Sequence, residues 1–499
     1  MRRYITETRG GRWLTTDSKI ITCTACECRV GCDQKGQVTQ HLDSNKHSEA
    51  VKRREACEAE QKERQEMLTN TVCRMRTNAI EATSFNSDTA RAFIAADIPL
   101  HKLNNEALKS YLERWTKQHV PDGSTVRKHY VDSTYESVVT DIRGNLNAKF
   151  IFVQVDETQL KGHMIAHLIV GALDGQNTGK SYLLACEVLE RTNNETIAQF
   201  VNESLRILWP NKIEYHRVLL FVSDAAAYMK KAYTGLRELY PKMLHVTCAA
   251  HGLHNVCEKI RYSFPAVNDL ISDVKKVFLK SPSRLTVLRE LHPALPKPPE
   301  PVVTRWGTWI RAAVYYSVHS DDIAHVLANL DEDDATAIRR AKEIIVLDTT
   351  KRDLAFISAN YSQLCDDIDA LEMRNASLKE ALSIFSCAIE RTMHVESQIG
   401  QDVAAKAKQI RDKNDGIAQL TAIAGVIFDC ETGTDPVLKK YSARELACFK
   451  YCPITSCDVE RSFSMLKALY RDNRSSFSDD NLSKHMVIHY NATPQTLPW

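Results

Sequence analysis

No apolar run in this sequence approaches the roughly 20 residues that a membrane-spanning helix needs, so no membrane protein is expected. The Arg-rich, polar N-terminus lacks the apolar stretch of a secretory signal, which points to an intracellular protein. Charge of one sign is lacking too. A net charge of +2 gives no global attraction for nucleic acid, so any DNA-binding surface has to come from local clustering. The 15 cysteines are an odd number without the dense spacing of a secreted scaffold; reduced thiols or metal ligands are expected, and disulfides are not.

What is present is a chain of 499 residues, 43% hydrophobic and 26% charged, too long for one ordinary core. Residues 1–50 hold Cys23, Cys26, His41 and His47 in a C-x2-C-x14-H-x5-H arrangement, four N/S ligands suited to tetrahedral zinc. Val38 and Leu42 flank the first histidine at helical spacing, which puts His41 on the inner face of a short helix with Trp13 as a packing partner. Cys28 and Cys32 remain alternative ligands. A domain this small needs such a staple.

Residues 51–88 read as a charged helix and linker, where KRRE at 52–55 is interleaved with glutamates on a solvated face. A small helical unit, structural or DNA-positioning, is expected at 89–135, in which Phe93, Ile98, Leu100, Leu108, Leu112 and Trp115 predict two or three packed helices.

Between 136 and 262 the pattern runs strand, strand, strand, helix, strand, helix, strand, with DGQNTGK at 174–180 as a turn. That order predicts an RNase H topology in which the first and fourth strands are neighbours. Their runs, KFIFVQVDE at 149–157 and VLLFVSDAA at 218–226, put Asp156 and Asp224 at adjacent strand tips. Two carboxylates there suit divalent ions in phosphodiester chemistry. Glu157 is an alternative to Asp156, which is preferred because it ends the apolar run.

A Pro-rich connector, LPKPPEPVV at 295–303, lies within a helical insertion spanning 263–434, with buried stripes at Leu378, Leu382, Phe385, Ile389 and Met393 and at Ile338, Ala341 and Ile345. In the last part, 435–499, the segment PITSCDVERSFS places Glu460 on the edge of a helix that docks through Val459, Phe463, Leu466 and Tyr470. Arg461 is a candidate partner for an acid. A final helix carries Leu482, Met486 and Tyr490, and the apolar helices of this C-terminal region are expected to expose surface that mediates self-association. The fold class expected is α/β: an RNase H-like mixed sheet interrupted by a large all-α insertion, with a small N-terminal zinc finger.

PITSCDVERSFS with RDNRSSFSDDNLSKHMVIHY, SDAAAYMKKA at 223–232, CAAH at 248–251 and TRW at 304–306 together resemble the hAT superfamily of transposases and their domesticated relatives, and the finger resembles the BED type. The resemblance implies Asp156, Asp224 and Glu460 as a triad for Mg2+ or Mn2+, Trp306 stacking on a flipped base and Arg305 holding phosphate. It implies that Cys248 and His251 stabilise the insertion or approach DNA. Residues 21–60 and AFIAADIPLHKLNNEALKSYLERW at 92–115 resemble the CGG-triplet-repeat-binding protein family of small nuclear DNA-binding proteins. A nuclear protein that binds double-stranded DNA and self-associates as a dimer or larger oligomer is therefore expected. It is either an active transposase or a domesticated, catalytically silent DNA-binding protein of chromatin or transcription.

Overall fold

The computed structural model describes residues 11–302, 306–374, 376–431, 434–470 and 477–492, with backbone alone for 35 and 68–81. The chain is mixed α/β and mostly helical, and it divides into two compact units, Met1–Asn86 with Ser110–Val120 and Ser87–Lys109 with Pro121–Trp499.

The first unit opens on three short antiparallel strands, β1 (Leu14–Thr16), β2 (Ile21–Cys23) and β3 (Cys28–Val30), ordered β1-β2-β3. The helices α1 (Lys35–Leu42) and α2 (Asn45–Ala95) follow. Among the described residues Trp13, Leu14, Ile21, Cys23, Val30 and Val38 form a small apolar core, with Leu42 and Val51 at its side. So small a core supplies little stability by itself.

In α3 (Glu106–Thr116) no side chain is fully buried. The expectation that Ile98 and Trp115 join a packed helical unit is corrected, because they are 40% and 71% exposed while Phe93 and Leu100 are buried. Helical spacing marks a stripe, but does not say whether a neighbour meets it.

In the second unit α4 (Gly123–His129) and α5 (Val131–Leu146) precede the strands β4 (Phe150–Leu160), β5 (His163–Leu173) and β6 (Ser181–Leu189). Then come α6 (Asn194–Leu208), β7 (Val218–Ser223), α7 (Ala227–Leu236), β8 (Leu244–Thr247) and α8 (Ala249–Ser263). The five-stranded sheet is ordered β6-β5-β4-β7-β8; its first two ladders are antiparallel, and the β4–β7 and β7–β8 ladders are parallel. All six residues of β7 are buried, which is why its sequence is a continuous apolar run and not an alternation.

Asp156 does not sit at the end of its strand, as its place at the end of an apolar run suggested. The β4–β5 ladder continues past it to Leu160↔His163 and turns through Lys161 and Gly162, both at positive φ, a two-residue hairpin geometry that twists with the strands. Only the parallel ladder to β7 stops early, at Gln154↔Val222, so Asp156 lies just beyond it, and Asp224 directly follows β7.

Helices dominate the described residues from 265 to 429, beginning with α9 (Pro265–Phe278), α10 (Pro282–Leu291) and α11 (Thr308–Ala328) and ending with α12 (Asp415–Asp429). This last helix closes the edge of β8. Asn414 donates Nδ2 to the Thr247 carbonyl at 2.7 Å and accepts from the Thr247 N–H at 3.2 Å, and a Cβ at Gly416 would collide with the His245 carbonyl.

Then α13 (Cys457–Leu469) packs on β4 and β5, and α14 (Asp479–Ala492) packs on β6 and α5. Leu482, Met486 and Tyr490 are buried within the chain, so these three residues do not supply the exposed apolar surface expected of the C-terminal helices. No helix among the described residues is long and apolar enough to cross a membrane.

Candidate metal centres

Two groups of metal-competent side chains are found among the described residues. In the first, β2 ends on Cys23 and the turn that follows carries Cys26, whose N–H donates to Cys23 Sγ at 3.4 Å. His41 comes from the last turn of α1 and His47 from the first turn of α2. One ligand atom from each of the four lies within 4.8 Å of the others.

The Sγ atoms of Cys23 and Cys26 are 3.4 and 3.3 Å from His47 Nδ1, and the two imidazole centroids are 4.9 Å apart. Burial, reinforced by Cys23, pushes the Cys26 thiol up to about 11. Burial, then His47, lowers His41. His41 Nε2 is buried with no hydrogen-bond partner. A cation among these donors would resolve all three features, so the residues fit a metal. Cys28 and Cys32 are not in the group.

The second group is Asp156, His251 and Glu460, again with ligand atoms within 4.8 Å of one another. Asp156 comes from β4, His251 from the first turn of α8, and Glu460 from the first turn of α13. His251 Nε2 lies 3.9 Å from Asp156 Oδ2 and 3.5 Å from Glu460 Oε1.

Burial holds the Asp156 carboxyl well above the usual carboxylate range; His251 opposes that, while Glu460, Asp224 and Glu157 add to it. Burial would lower the basicity of His251, but Cys248, Glu460 and Asp156 outweigh it and raise it well above the ordinary imidazole value. Thus one imidazole sits between two acids. Asp156 Oδ2 is buried with no hydrogen-bond partner, which makes the site one that a cation fits.

Asp224 is outside the group of three. Its carboxyl is nonetheless raised by burial, and its Oδ1 accepts from the Ala226 N–H at 3.0 Å. Glu157 is pushed up to about 7 by burial and then by Asp224, and it accepts a hydrogen bond from the Tyr228 hydroxyl.

The chain holds Glu460 in place by fastening the segment just before it. Gln154 Nε2 donates to the Thr455 carbonyl at 2.8 Å, the Ala249 N–H to the Ile454 carbonyl at 2.9 Å, and the Ser456 N–H to Cys248 Sγ at 3.2 Å. Asp458 then accepts from Arg374 Nε at 2.9 Å, from Arg461 Nη1 at 2.6 Å and from Ser181 Oγ at 2.5 Å. Glu460 is left between two fixed residues.

Sequence reasoning missed that His251 faces the acids, although a signal was present. CAAH directly follows β8, and Ser223↔Thr247 pairs the last residues of β7 and β8, so Cys248 and Asp224 leave the sheet side by side. Trp306 is half-buried and packs edge-on against His251, with centroids 4.7 Å apart. Arg305 lies outside the described residues.

Comparison with known proteins supplies two findings. Residues 121–277 match the family described as "Domain of unknown function (DUF659)", a span that holds Asp156, Asp224, Cys248 and His251 but not Glu460. Over 132 residues, 26% of this chain, the sequence is 26% identical to 78% of CGG triplet repeat-binding protein 1 of Homo sapiens, and equally to that of Mus musculus.

Proposed function

We propose that this chain is an hAT-type DNA transposase with an RNase H-like core, in which a BED-like zinc finger binds double-stranded DNA and a carboxylate site cuts and joins it. The observation that carries the reading is the meeting of Asp156 and Glu460 around His251, beside Asp224 at the neighbouring strand end. Thiols and imidazoles in the first group suit Zn2+, held by Cys23, Cys26, His41 and His47. Hard carboxylate oxygens of Asp156, Asp224 and Glu460 suit Mg2+ or Mn2+, which when bound supply an activated water or 3′-hydroxyl and a stabilised leaving oxygen.

The protein's own contribution is orientation and charge. Asp156 is held rigidly by strand pairing on β4, and its unpaired oxygen faces the site. His251 supplies positive charge between the acids, where a phosphodiester oxygen can be neutralised. Trp306, fixed against His251, offers a face on which an unstacked base can rest, and Arg305 is assigned to phosphate. Nuclear localisation and self-association as a dimer or larger oligomer belong to the same proposal.

Nicking of DNA that carries the element's terminal repeats, with Mg2+ or Mn2+, tests the reading. Asp224→Ala is expected to lower cleavage by about two orders of magnitude or more while DNA affinity is kept. Binding without cleavage by the wild-type protein would favour a second reading, a domesticated and catalytically silent DNA-binding protein of chromatin or transcription. The similarity to CGG triplet repeat-binding protein 1 supports that alternative.

A further inference from the structure

His251, His254, Glu258 and Arg261 follow one another on α8 at intervals of three, four and three residues, so they line one face of the helix. His251 belongs to the acid cluster. The other three border a separate cavity of about 210 Å3, whose remaining walls include Lys275 and Ser272 of α9 and Trp309 of α11. Pockets for small organic ligands usually measure about 300–1,000 Å3, so this one holds a single compact group.

Three polar atoms in its lining are buried with no hydrogen-bond partner: His254 Nδ1, Arg261 Nε and Trp309 Nε1. Native folds rarely keep such groups unpaired unless something else satisfies them. A guanidinium nitrogen and an indole nitrogen can only donate, so what they await is an acceptor.

Arg261 turns its Nη2 toward Glu258 Oε2 at 2.6 Å and the Tyr262 hydroxyl at 3.2 Å, while its Nε is buried without a partner. Glu258, the one acid in this lining, is engaged by that pairing. Lys275 adds positive charge, its Nζ anchored to the Pro301 carbonyl at 2.7 Å. Two cations, one paired acid and two unused donors select an anionic, acceptor-rich group.

We propose that this cavity is a subsite for the phosphate of a nucleotide, with Arg261 Nε–H and Trp309 Nε1–H donating to its oxygens. The phosphate arrives either on a free nucleotide or within a DNA strand that runs along α8 from the acid cluster, about 15 Å from His251 to Arg261 at the rise of a helix. Recognition is the same in both cases. It needs no divalent ion, so it stands or falls apart from the cleavage chemistry.

The test uses the full chain with 15N-labelled tryptophan, no divalent ion added, and the indole N–H signals as the readout. Trp309→Phe keeps an aromatic ring but deletes the donor, and identifies which of the six tryptophan signals belongs to Trp309. Inorganic phosphate, a deoxynucleoside monophosphate, the parent deoxynucleoside and a single-stranded oligonucleotide are titrated in turn.

The monophosphate is expected to shift the Trp309 signal, and Arg261→Lys to weaken that binding about tenfold or more, with the other indole signals reporting an intact fold. A shift from phosphate and monophosphate alike supports a free-nucleotide source. A shift from the oligonucleotide alone supports a strand source. The proposal is overturned if no probe moves the signal, if the deoxynucleoside acts as strongly as its monophosphate, or if Arg261→Lys binds as the wild type does.

Discussion

The two metal-competent groups are built in opposite ways. Cys23, Cys26, His41 and His47 come from one stretch of chain in which a turn and two consecutive helices deliver every donor. Asp156, His251 and Glu460 come from a strand and two helices far apart in sequence, with the whole helical block between the last two. The first group is therefore the core of its small unit, while the second is a consequence of a fold that forms without it. Losing the first should remove structure, and losing the second should remove only chemistry.

The largest effect expected from that contrast is at the finger. Structural zinc sites contribute on the order of 10–16 kcal/mol of binding free energy that is also folding free energy. Chelation, or Cys26→Ser, is expected to abolish hydrogen-exchange protection in β1–β3 and α1, and with it sequence-specific DNA binding. Protection of β4–β8 should be unchanged. Exchange that rises equally in both regions would break the comparison.

The second group is attacked through its scaffold. Asp458 is nearly buried and takes hydrogen bonds from two arginines and Ser181, so Asp458→Asn leaves the guanidinium groups of Arg374 and Arg461 uncompensated. Breaking one member of such a buried set typically costs about 3–5 kcal/mol. Urea denaturation of the second unit should show that loss in its midpoint, with zinc content undiminished. A shift no larger than a surface substitution produces would mean that Glu460 is held by something else.

This contrast also decides what could be read from the amino-acid order. The four donors of the first group, and Val38 and Leu42 around them, obey local spacing, and local spacing is visible in sequence. Strands β4 and β7 announced themselves as apolar runs, and so did the stripe of Val459, Phe463 and Leu466, all buried. Register was not visible. The Lys161–Gly162 hairpin lengthens β4 beyond Asp156, and a run of polar residues in DETQL hides strand that antiparallel pairing maintains. Nor does period reveal partners: Trp115 has helical spacing and faces solvent, whereas Leu482, Met486 and Tyr490 look like a free stripe and are buried against β6 and α5. His251 was hidden for the reason that defines its cluster, since only the completed sheet brings the end of β8 to the acids.

Acid should separate the regions more gently. His167 on β5 is buried, bonded through Nδ1 to Ser462 Oγ at 2.6 Å and packed against Phe463, both on the helix that presents Glu460. Burial pushes its imidazole down from 6.5 to about 3, so the folded state keeps it neutral while the unfolded chain protonates it. The unfolded state then binds more protons, and stability falls as pH drops below about 6.5 and goes on falling toward about 3. Down to about pH 5 the loss is roughly 2 kcal/mol from this residue. His245, lowered by burial to about 4, adds to it with the same sign. His167→Asn should flatten the dependence of the urea midpoint on pH between about 7 and 5. An unchanged slope would remove His167 as the link between acid and the helix of Glu460.

The smallest effect is the sharpest on ligand identity. Cys28 and Cys32 lie close in sequence to the finger's donors, and spacing alone admits either as a ligand. Cys28 is an exposed residue at the start of β3, and Cys32 follows that strand, its Sγ 3.9 Å from the Lys19 carbonyl. Neither belongs to the set of four whose ligand atoms all lie within 4.8 Å of one another, although Cys28 is near enough to Cys26 to help raise its thiol. Cys28→Ser and Cys32→Ser are therefore expected to change stability by no more than about 0.5 kcal/mol, the range of ordinary surface substitutions. Zinc measured by atomic absorption should stay at the wild-type value in both. Cys26→Ser, three positions from the first ligand, supplies the contrast: the same chemical change at a donor releases the metal. If Cys28→Ser or Cys32→Ser released it too, the tetrahedron would have to be redrawn with that sulfur in place of one of the two histidines, and the local rule that builds the finger would be a different one.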